Sequence, residues 1–367
     1  MNKRPTSIDV AKRAGVSQST VSLVLSGNQR ATFSDETRAR VIAAAKELNY
    51  EPPLRKTRSV IGRRLLLLTP TLNNPFYAEL VQTVEQYADS LGCHVLVCNT
   101  LRKPELERYY LHTLLHNHQV SGIIYTFLPS YPEMLEMETR TMPAVLIGEK
   151  RSDLPICSIE LSNEQAGAIL AEHLYGLGHR SFLFISTPFN QFSLARQQRV
   201  DGIRQFLRRH SLPDDCLEIS VPDARTETDN LPGSVSYEYT VGRRLTAAAL
   251  ERGTKATALI GVNDMTAAGI LAELKSHGCA VPGDFSVCGF DNVFPSVIAQ
   301  PSLTTIDHHL SVRCSAAVDL VLSLERGMRM RSEQPAAPIS KMEYAPRLIV
   351  RDSSGPAPSA GKGRGAC

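Results

Sequence analysis

The sequence of 367 residues is too long for one ordinary hydrophobic core, so two or three domains are expected. Hydrophobic residues make up 43%, ordinary for a globular protein, and no run of about 18 apolar residues occurs, which excludes a membrane-spanning helix. A net charge of +3 hides an asymmetry: residues 1–64 carry 13 Lys and Arg against 5 Asp and Glu, and the remainder 27 against 32, so a basic head suited to phosphates precedes a mildly acidic body.

From residue 6 the chain reads as two short helices joined by a tight turn. Thr6 is placed to cap the first, with Asp9 three residues on. Ile8, Val10, Ala11 and Ala14 give it an apolar stripe, and Gly15 closes it by taking the left-handed conformation. Ser17 caps the second helix, in which Val21, Val24 and Leu25 face inward. Gln18, Ser19 and Ser22 stay outside near its start, the arrangement that a helix-turn-helix lays in a major groove. A third helix over 34–48, with Val41, Ile42, Ala45 and Leu48, completes a three-helix core. An ordinary helical hairpin could show the same faces, but it would need neither the third helix nor the basic charge.

Pro52 and Pro53 end that helix and open a linker to residue 64 that carries five basic residues. From residue 65 short apolar runs alternate with amphipathic helices: strands at 65–69, 94–98, 122–127 and 145–148, with helices at 74–90 and 105–117 between them. The pattern then restarts, with helices at 163–175, 195–210, 240–252 and 266–277 and strands at 182–185, 258–261 and 286–289. Continuous apolar strands separated by helices signal parallel sheets covered on both faces. The predicted fold is therefore an all-α helix-turn-helix head on an α/β body. Two doubly wound parallel-sheet lobes form a periplasmic-binding-protein-like clamp, with ligand at the carboxyl ends of the strands. The expected division is a head over 1–50, a linker over 51–64 and an effector-binding and dimerisation body over 65–352. Lobe 1 is assigned 65–160 plus 293–320, and lobe 2 is assigned 161–292 plus 321–352, with a last strand at 346–350. The tail over 353–367, made of Gly, Ala, Pro, Ser and basic residues, is expected to be disordered.

The strings DVAKRAGVSQSTVSLVLSG and SDETRARVIAAAKELNYEP closely resemble the DNA-binding head of the lactose-repressor/galactose-repressor (LacI–GalR) family. The resemblance continues through SNEQAGAILAEHLYGLGHR, GVNDMTAAGILAELKSHGCAVPGDFSVCGFDN and PSLTTI. It implies a ligand-responsive transcriptional repressor, acting as a homodimer on palindromic double-stranded operator DNA, with a sugar-like small molecule as effector. By the same resemblance Gln18 and Ser19 hold the two main specificity positions, and Thr20 and Ser22 touch phosphate or sugar. Thr6 and Ser17 join them at the helix starts, and Arg30 is a backbone or groove contact. Leu23 stands where the best-known members carry arginine, so it reads at most a thymine methyl. The linker is one or two residues short and lacks the family's alanine-rich hinge helix; Leu54 or Val60 would supply its minor-groove wedge. In the cleft the resemblance assigns Arg199 to ligand oxygens, Asp291 to hydroxyls or ring N–H groups, Tyr237 to stacking and Phe76 to the floor. Asn263 and Asp264 lie at a strand end facing the same cleft. Each has a plainer alternative: an inter-lobe ion pair for Arg199, helix capping for Asp291, packing into its own lobe for Tyr237 and core for Phe76.

Other chemistry is poorly supported. His112 and His116 share a helix face but His118 does not, and no Cys or carboxylate completes a metal set; an exposed polar helix explains them. The eight cysteines contain no CxxC pair and read as core-filling thiols. No nucleophile elbow, Walker loop or zinc-hydrolase motif occurs, so neither an enzyme nor a cofactor is expected. The basic N-terminus has no apolar segment behind it, which argues for the cytoplasm and against a secreted solute-binding protein. A regulator that has lost its ligand response is the remaining alternative, because of the short linker.

Overall fold

The computed structural model describes residues 5–25, 34–48, 50, 63–117, 120–139, 141–150, 154–189, 194–222, 236–330 and 339–359. Contacts divide the chain into two units, 1–61 and 62–367.

The first unit holds α1 (Ser7–Ala14), α2 (Gln18–Leu25) and α3 (Asp35–Glu47). Thr6 and Asp9 form a reciprocal capping box, the Asp9 carboxylate accepting from the Thr6 backbone N–H at 2.8 Å. Gly15 ends α1 at φ 64°, and its N–H returns to the Ala11 carbonyl. Val10, Ala11, Ala14, Val21, Val24, Val41, Ala44 and Ala45 make the core. Two expected core residues are outside it: Ile8 is 51% and Ile42 52% exposed. The alanines let α1 and α3 approach closely along a narrower stripe than the apolar pattern suggested, and the two isoleucines flank it. Arg13 bridges the same helices by donating from Nε and Nη2 to the Glu47 carboxylate, at 2.9 and 2.5 Å.

The second unit is built on two six-stranded sheets. The first comprises β1 (Arg63–Thr69), β2 (Cys93–Asn99), β3 (Val120–Tyr125), β4 (Ala144–Ile147), β5 (Cys157–Leu161) and β11 (Lys341–Tyr344), in the order β11-β5-β4-β3-β1-β2 and parallel throughout. The second comprises β6 (Phe182–Ile185), β7 (Leu217–Ser220), β8 (Ala258–Gly261), β9 (Ser286–Asp291), β10 (Thr304–Asp307) and β12 (Arg347–Ile349). Its order is β12-β10-β9-β8-β6-β7, with only β12 antiparallel. Leu65, Leu66, Leu67 and Leu68 of β1 are fully buried, because helices cover both faces of the sheet. The helices α4 (Pro75–Ser90), α5 (Pro104–Asn117) and α6 (Pro132–Thr139) belong to the first lobe. The second holds α7 (Asn163–Gly176), α8 (Leu194–Arg209), α9 (Tyr237–Glu251), α10 (Asp264–Ser276) and the short α11 (Phe294–Ile298). Among the described residues no helix is long and apolar enough to cross a membrane.

The lobe boundaries differ from those expected. The chain does not leave lobe 2 at residue 293: β10 pairs in parallel with β9, Thr304 opposite Cys288 through Asp307 opposite Asp291. Nor does it leave lobe 1 at residue 320, because 310–330 is one helix, α12. Its apolar residues Cys314, Ala317, Val318, Val321 and Leu322 recur with helical spacing and pack with Leu65, Leu67, Ile124 and Val145. A continuous helix with one apolar stripe cannot be shared between lobes. The crossings therefore fall at 161–163, 307–310 and 344–347, each only a few residues long.

The tail is a second correction. Ser353 is fully buried, and the chain is described through Ser359; residues 360–367 lie outside the described set. Val287 N donates to Ser353 O at 2.8 Å, Thr304 N to Ser353 Oγ at 2.8 Å and Ser353 N to Ser302 O at 2.9 Å. Gly355 N donates to Ser286 Oγ at 3.0 Å, and Ala357 N to Leu177 O at 2.8 Å. Composition misled here because this strap needs no core of its own. It completes hydrogen bonds left open at the starts of β9 and β10. His179 is buried beneath it, with Nε2 3.1 Å from Gly355 O and Nδ1 2.8 Å from Thr257 Oγ1. Nε2 also lies 2.9 Å from Ser286 Oγ, which is itself 3.1 Å from Gly355 O. Burial lowers the pKa of this histidine, consistent with a neutral ring.

Candidate ligand cleft and nucleic-acid interface

In the head, the first turn of α2 offers a polar face. Ser17 accepts from Thr20 N at 3.1 Å, and its hydroxyl lies 2.9 Å from that of Thr20. Gln18, exposed at the start of the helix, donates from Nε2 to Ser7 Oγ at 2.9 Å. That bond uses one amide hydrogen and leaves Oε1 and the second hydrogen, the pair that a bidentate contact to adenine requires. Ser7 thus orients Gln18, a role invisible in a linear reading. Ser22 is exposed and Thr20 half-buried on the same helix, while Thr6 is occupied with Asp9. The side chains of Ser19 and Leu23, and all of Arg30, Leu54 and Val60, lie outside the described residues.

In the body, the carboxyl ends of both sheets face one cavity of about 140 Å³. Four of the six expected residues line it: Phe76, Arg199, Asn263 and Asp291. Arg199 comes from the second turn of α8 and is 6% exposed. Its Nε donates to Asn163 Oδ1 at 2.7 Å and its Nη1 to Val262 O at 2.5 Å, while the guanidinium carbon lies 4.6 Å from the centre of the Phe290 ring. Nη2 is 3.3 Å from His308 Nε2. Arginine only donates, so this nitrogen accepts and His308 is neutral. Burial, with Arg199 and Arg313 beside it, holds the His308 pKa well below the ordinary range.

Asp291 ends β9 at φ 129°, an uncommon backbone for a residue with a side chain, followed by Asn292 at 58°. Burial pushes its carboxyl well above the usual range; Arg199 opposes this, and Asp264, Glu238 and Glu79 add to it. Asn263 caps α10, with Oδ1 accepting from Thr266 N and Thr266 Oγ1, both at 2.9 Å, so its amide nitrogen is what it can offer a ligand. Phe76 stands edge-on to His308 at 5.3 Å, in the first turn of α4.

Two expected residues are not in the cavity. Tyr237 opens α9 and packs into the core of its own lobe with Val241 and Ile270. The next residue, Glu238, takes the place in the cleft. Asp264 is buried behind the wall, where Oδ1 accepts from Thr305 Oγ1 at 2.5 Å and Oδ2 from Val293 N at 3.2 Å. It joins β10 and the loop after β9 to α10, and burial raises its pKa to about 6.

The sequence reading missed several lining residues, among them Arg102, Glu149, Glu238, His308 and Arg313. Glu238 ties the lobes together: it accepts from Asn74 Nδ2 at 3.4 Å and from Arg102 Nη2 at 3.5 Å, both from lobe 1. Burial alone would raise its pKa, but Arg102, Ser236 and Asn74 together hold it below the usual value, so it stays ionised. Asn163 of lobe 2 likewise bonds Glu149 of lobe 1. Arg102 and Glu149 come within three residues of the ends of β2 and β4, a positional signal available in the sequence. His308 and Arg313 could be found only with the crossing after β10 placed correctly. The cavity offers donors, carboxyls and the aromatic side chains of Phe76 and Tyr77, the means to bind a small polar molecule. Among the described residues no group of three or more His, Cys, Asp or Glu is poised for a metal; His116 (its side chain) and His118 lie outside them.

Comparison with known proteins agrees with both halves. Residues 8–53 match the family described as bacterial regulatory proteins, lacI family, and residues 171–354 match a periplasmic binding protein-like domain. The chain is 30% identical to the ribose operon repressor of Halalkalibacterium halodurans over 356 residues, 94% of this chain and 96% of that one. It is also 30% identical to the lactose operon repressor of Escherichia coli over 338 residues, 90% and 88% of the two chains. Among solved structures, the lac repressor dimer bound to operator and the anti-inducer ONPF superposes with a TM-score of 0.66 at 27% identity, covering 96% of this chain and all of that one.

Proposed function

Because this chain belongs to the lacI family of bacterial regulatory proteins, we propose that it is a cytoplasmic transcriptional repressor under the control of a small polar effector, and not an enzyme. It binds a near-palindromic operator as a homodimer, since a twofold dimer presents two heads to two half-sites. The observation that carries this reading is the polar cleft between lobes held by Glu238, Asn74, Arg102, Asn163 and Glu149. A ligand entering there competes for these contacts and changes the preferred angle between the lobes. That shifts the population of operator-competent dimers, with a coupling of about 1–3 kcal/mol. The names of the relatives, repressors of a ribose and a lactose operon, favour sugar chemistry.

The test is selection of bound DNA from a random pool, followed by titration of candidate effectors against the selected operator. Asp291→Ala is expected to leave operator affinity without ligand unchanged and to abolish the response to effector. A mutant that responds at the same ligand concentration as the parent removes Asp291 from the site. Gln18→Ala is expected to cost about 1–3 kcal/mol at one base pair of each half-site while leaving the salt dependence of nonspecific binding nearly intact. Binding lost equally on all sequences, with a shallower salt slope, would assign Gln18 to the backbone instead.

A further inference from the structure

Resting on the reading of the cleft as the effector site, we infer that its ligand is a monosaccharide-sized polyol bearing an oxyanion, carboxylate or phosphate, seated on Arg313. Arg313 lies in the first turn of α12, lines the cavity and is 2% exposed. One of its nitrogens is accounted for, Nη2 donating to the carbonyl of Ile159 at 3.1 Å. Its Nε is buried with no acceptor within hydrogen-bonding distance among the described residues. A buried charged donor without a partner is costly, and a ligand entering the cavity that Arg313 lines can complete it.

The surroundings point to a negative ligand. Glu149 is the carboxyl that acts on Arg313 most strongly, but it is already bonded by Asn163, and burial raises its pKa toward the neutral form. Asp291 is pushed in the same direction. Glu238 keeps its charge, matched by Arg102 at 3.5 Å. Arg199 spends donors on Asn163, Val262 and His308. What remains without an acceptor is Nε of Arg313, a charged donor that a charged oxygen matches better than a neutral one. A neutral sugar would put a single hydroxyl there and leave the charge unmatched. The cavity volume of about 140 Å³ limits the rest of the ligand to roughly one ring, with Asn263 and Asp291 available for its hydroxyls.

The experiment uses the full chain with D-glucuronate, D-galacturonate, D-gluconate and D-glucose 6-phosphate against neutral D-glucose and D-galactose, read by thermal shift and calorimetry. At least one acid or the phosphate is expected to raise the melting temperature and bind, its neutral parent not doing so at the same concentration. Whichever binds identifies the oxyanion. Arg313→Gln is expected to weaken that ligand about 10- to 100-fold and Arg313→Lys less. Neutral sugars binding as tightly as the acids would overturn the inference while leaving the sensor reading intact. Acid binding untouched by Arg313→Gln would also overturn it. No response to any acid or phosphate decides against it from the parent protein alone, even where a variant fails to fold.

Discussion

Gly202→Ala is expected to destabilise the body by about 3 kcal/mol or more, a fall of roughly 6 °C in melting temperature. Helices α7 and α8 cross at a pair of glycines. A Cβ on Gly202 would stand 1.8 Å from the carbonyl oxygen of Glu164, and one on Gly167 would stand 2.0 Å from that of Arg199. Both obstacles are backbone, so no rotamer change relieves the clash and the helices must separate. The loss extends beyond packing, because Asn163 opens one helix and Arg199 lies on the other, 2.7 Å apart across the crossing. Any folded Gly202→Ala protein is therefore expected to have lost its effector response as well. Gly176→Ala is the control: nothing lies within 4 Å of the position its Cβ would take, and replacing a helical glycine there is expected to be neutral or mildly stabilising. Equal melting temperatures for the Gly202 variant and the parent would refute the close approach of the two helices as a stabilising contact.

Cutting the chain after Asp352 is the second large effect. The strap from Ser353 to Ala357 satisfies Val287 N, Thr304 N and the ring of His179. Buried donors left without partners cost about 1–3 kcal/mol each, so the loss is on the order of 4 kcal/mol or more and unfolding shifts by roughly 8 °C or more. Cutting after Ser359 is expected to change the melting temperature by no more than about 1 °C. Calorimetry of the two truncations and the full chain decides; coincident transitions would return 353–359 to the status of a dispensable tail.

The elements that sequence alone revealed are those whose buried residues are contiguous or strongly periodic. Leu65 to Leu68 and Phe182 to Ile185 are buried on both faces of their sheets and read as uninterrupted apolar runs. The helix α12 escaped notice because its stripe, Cys314, Ala317, Val318, Val321 and Leu322, is made largely of small residues set among Arg, Ser and Asp. The strands β5, β7 and β11 are short, and the pairing of β11 with β5, Lys341 opposite Ser158, leaves no local trace. The same limits shaped the reading of the cleft. Arg199 and Asp291, assigned through the family resemblance, both line the cavity. Tyr237 and Glu238 show how fine the margin is. Neighbours on a helix differ in direction by about 100°, which is enough to send one into the core and the other into the cavity. Arg313 was hidden twice over, by the unrecognised helix and by the crossing placed too early.

The three crossings also bear on how the body is made. A chain emerging from the ribosome completes five strands of the first sheet by Leu161, yet α12, which covers Leu65, Leu67, Ile124 and Val145, follows only after Leu310. The second sheet waits longer still, for β12 and the strap behind it. Neither lobe is one stretch of sequence, so neither can close while the other is unfinished. Throughout most of synthesis a broad leucine- and valine-rich surface stands uncovered on the nascent chain, the kind that recruits chaperones or neighbouring chains. Native assembly therefore waits on the stretch from Leu310 to the strap.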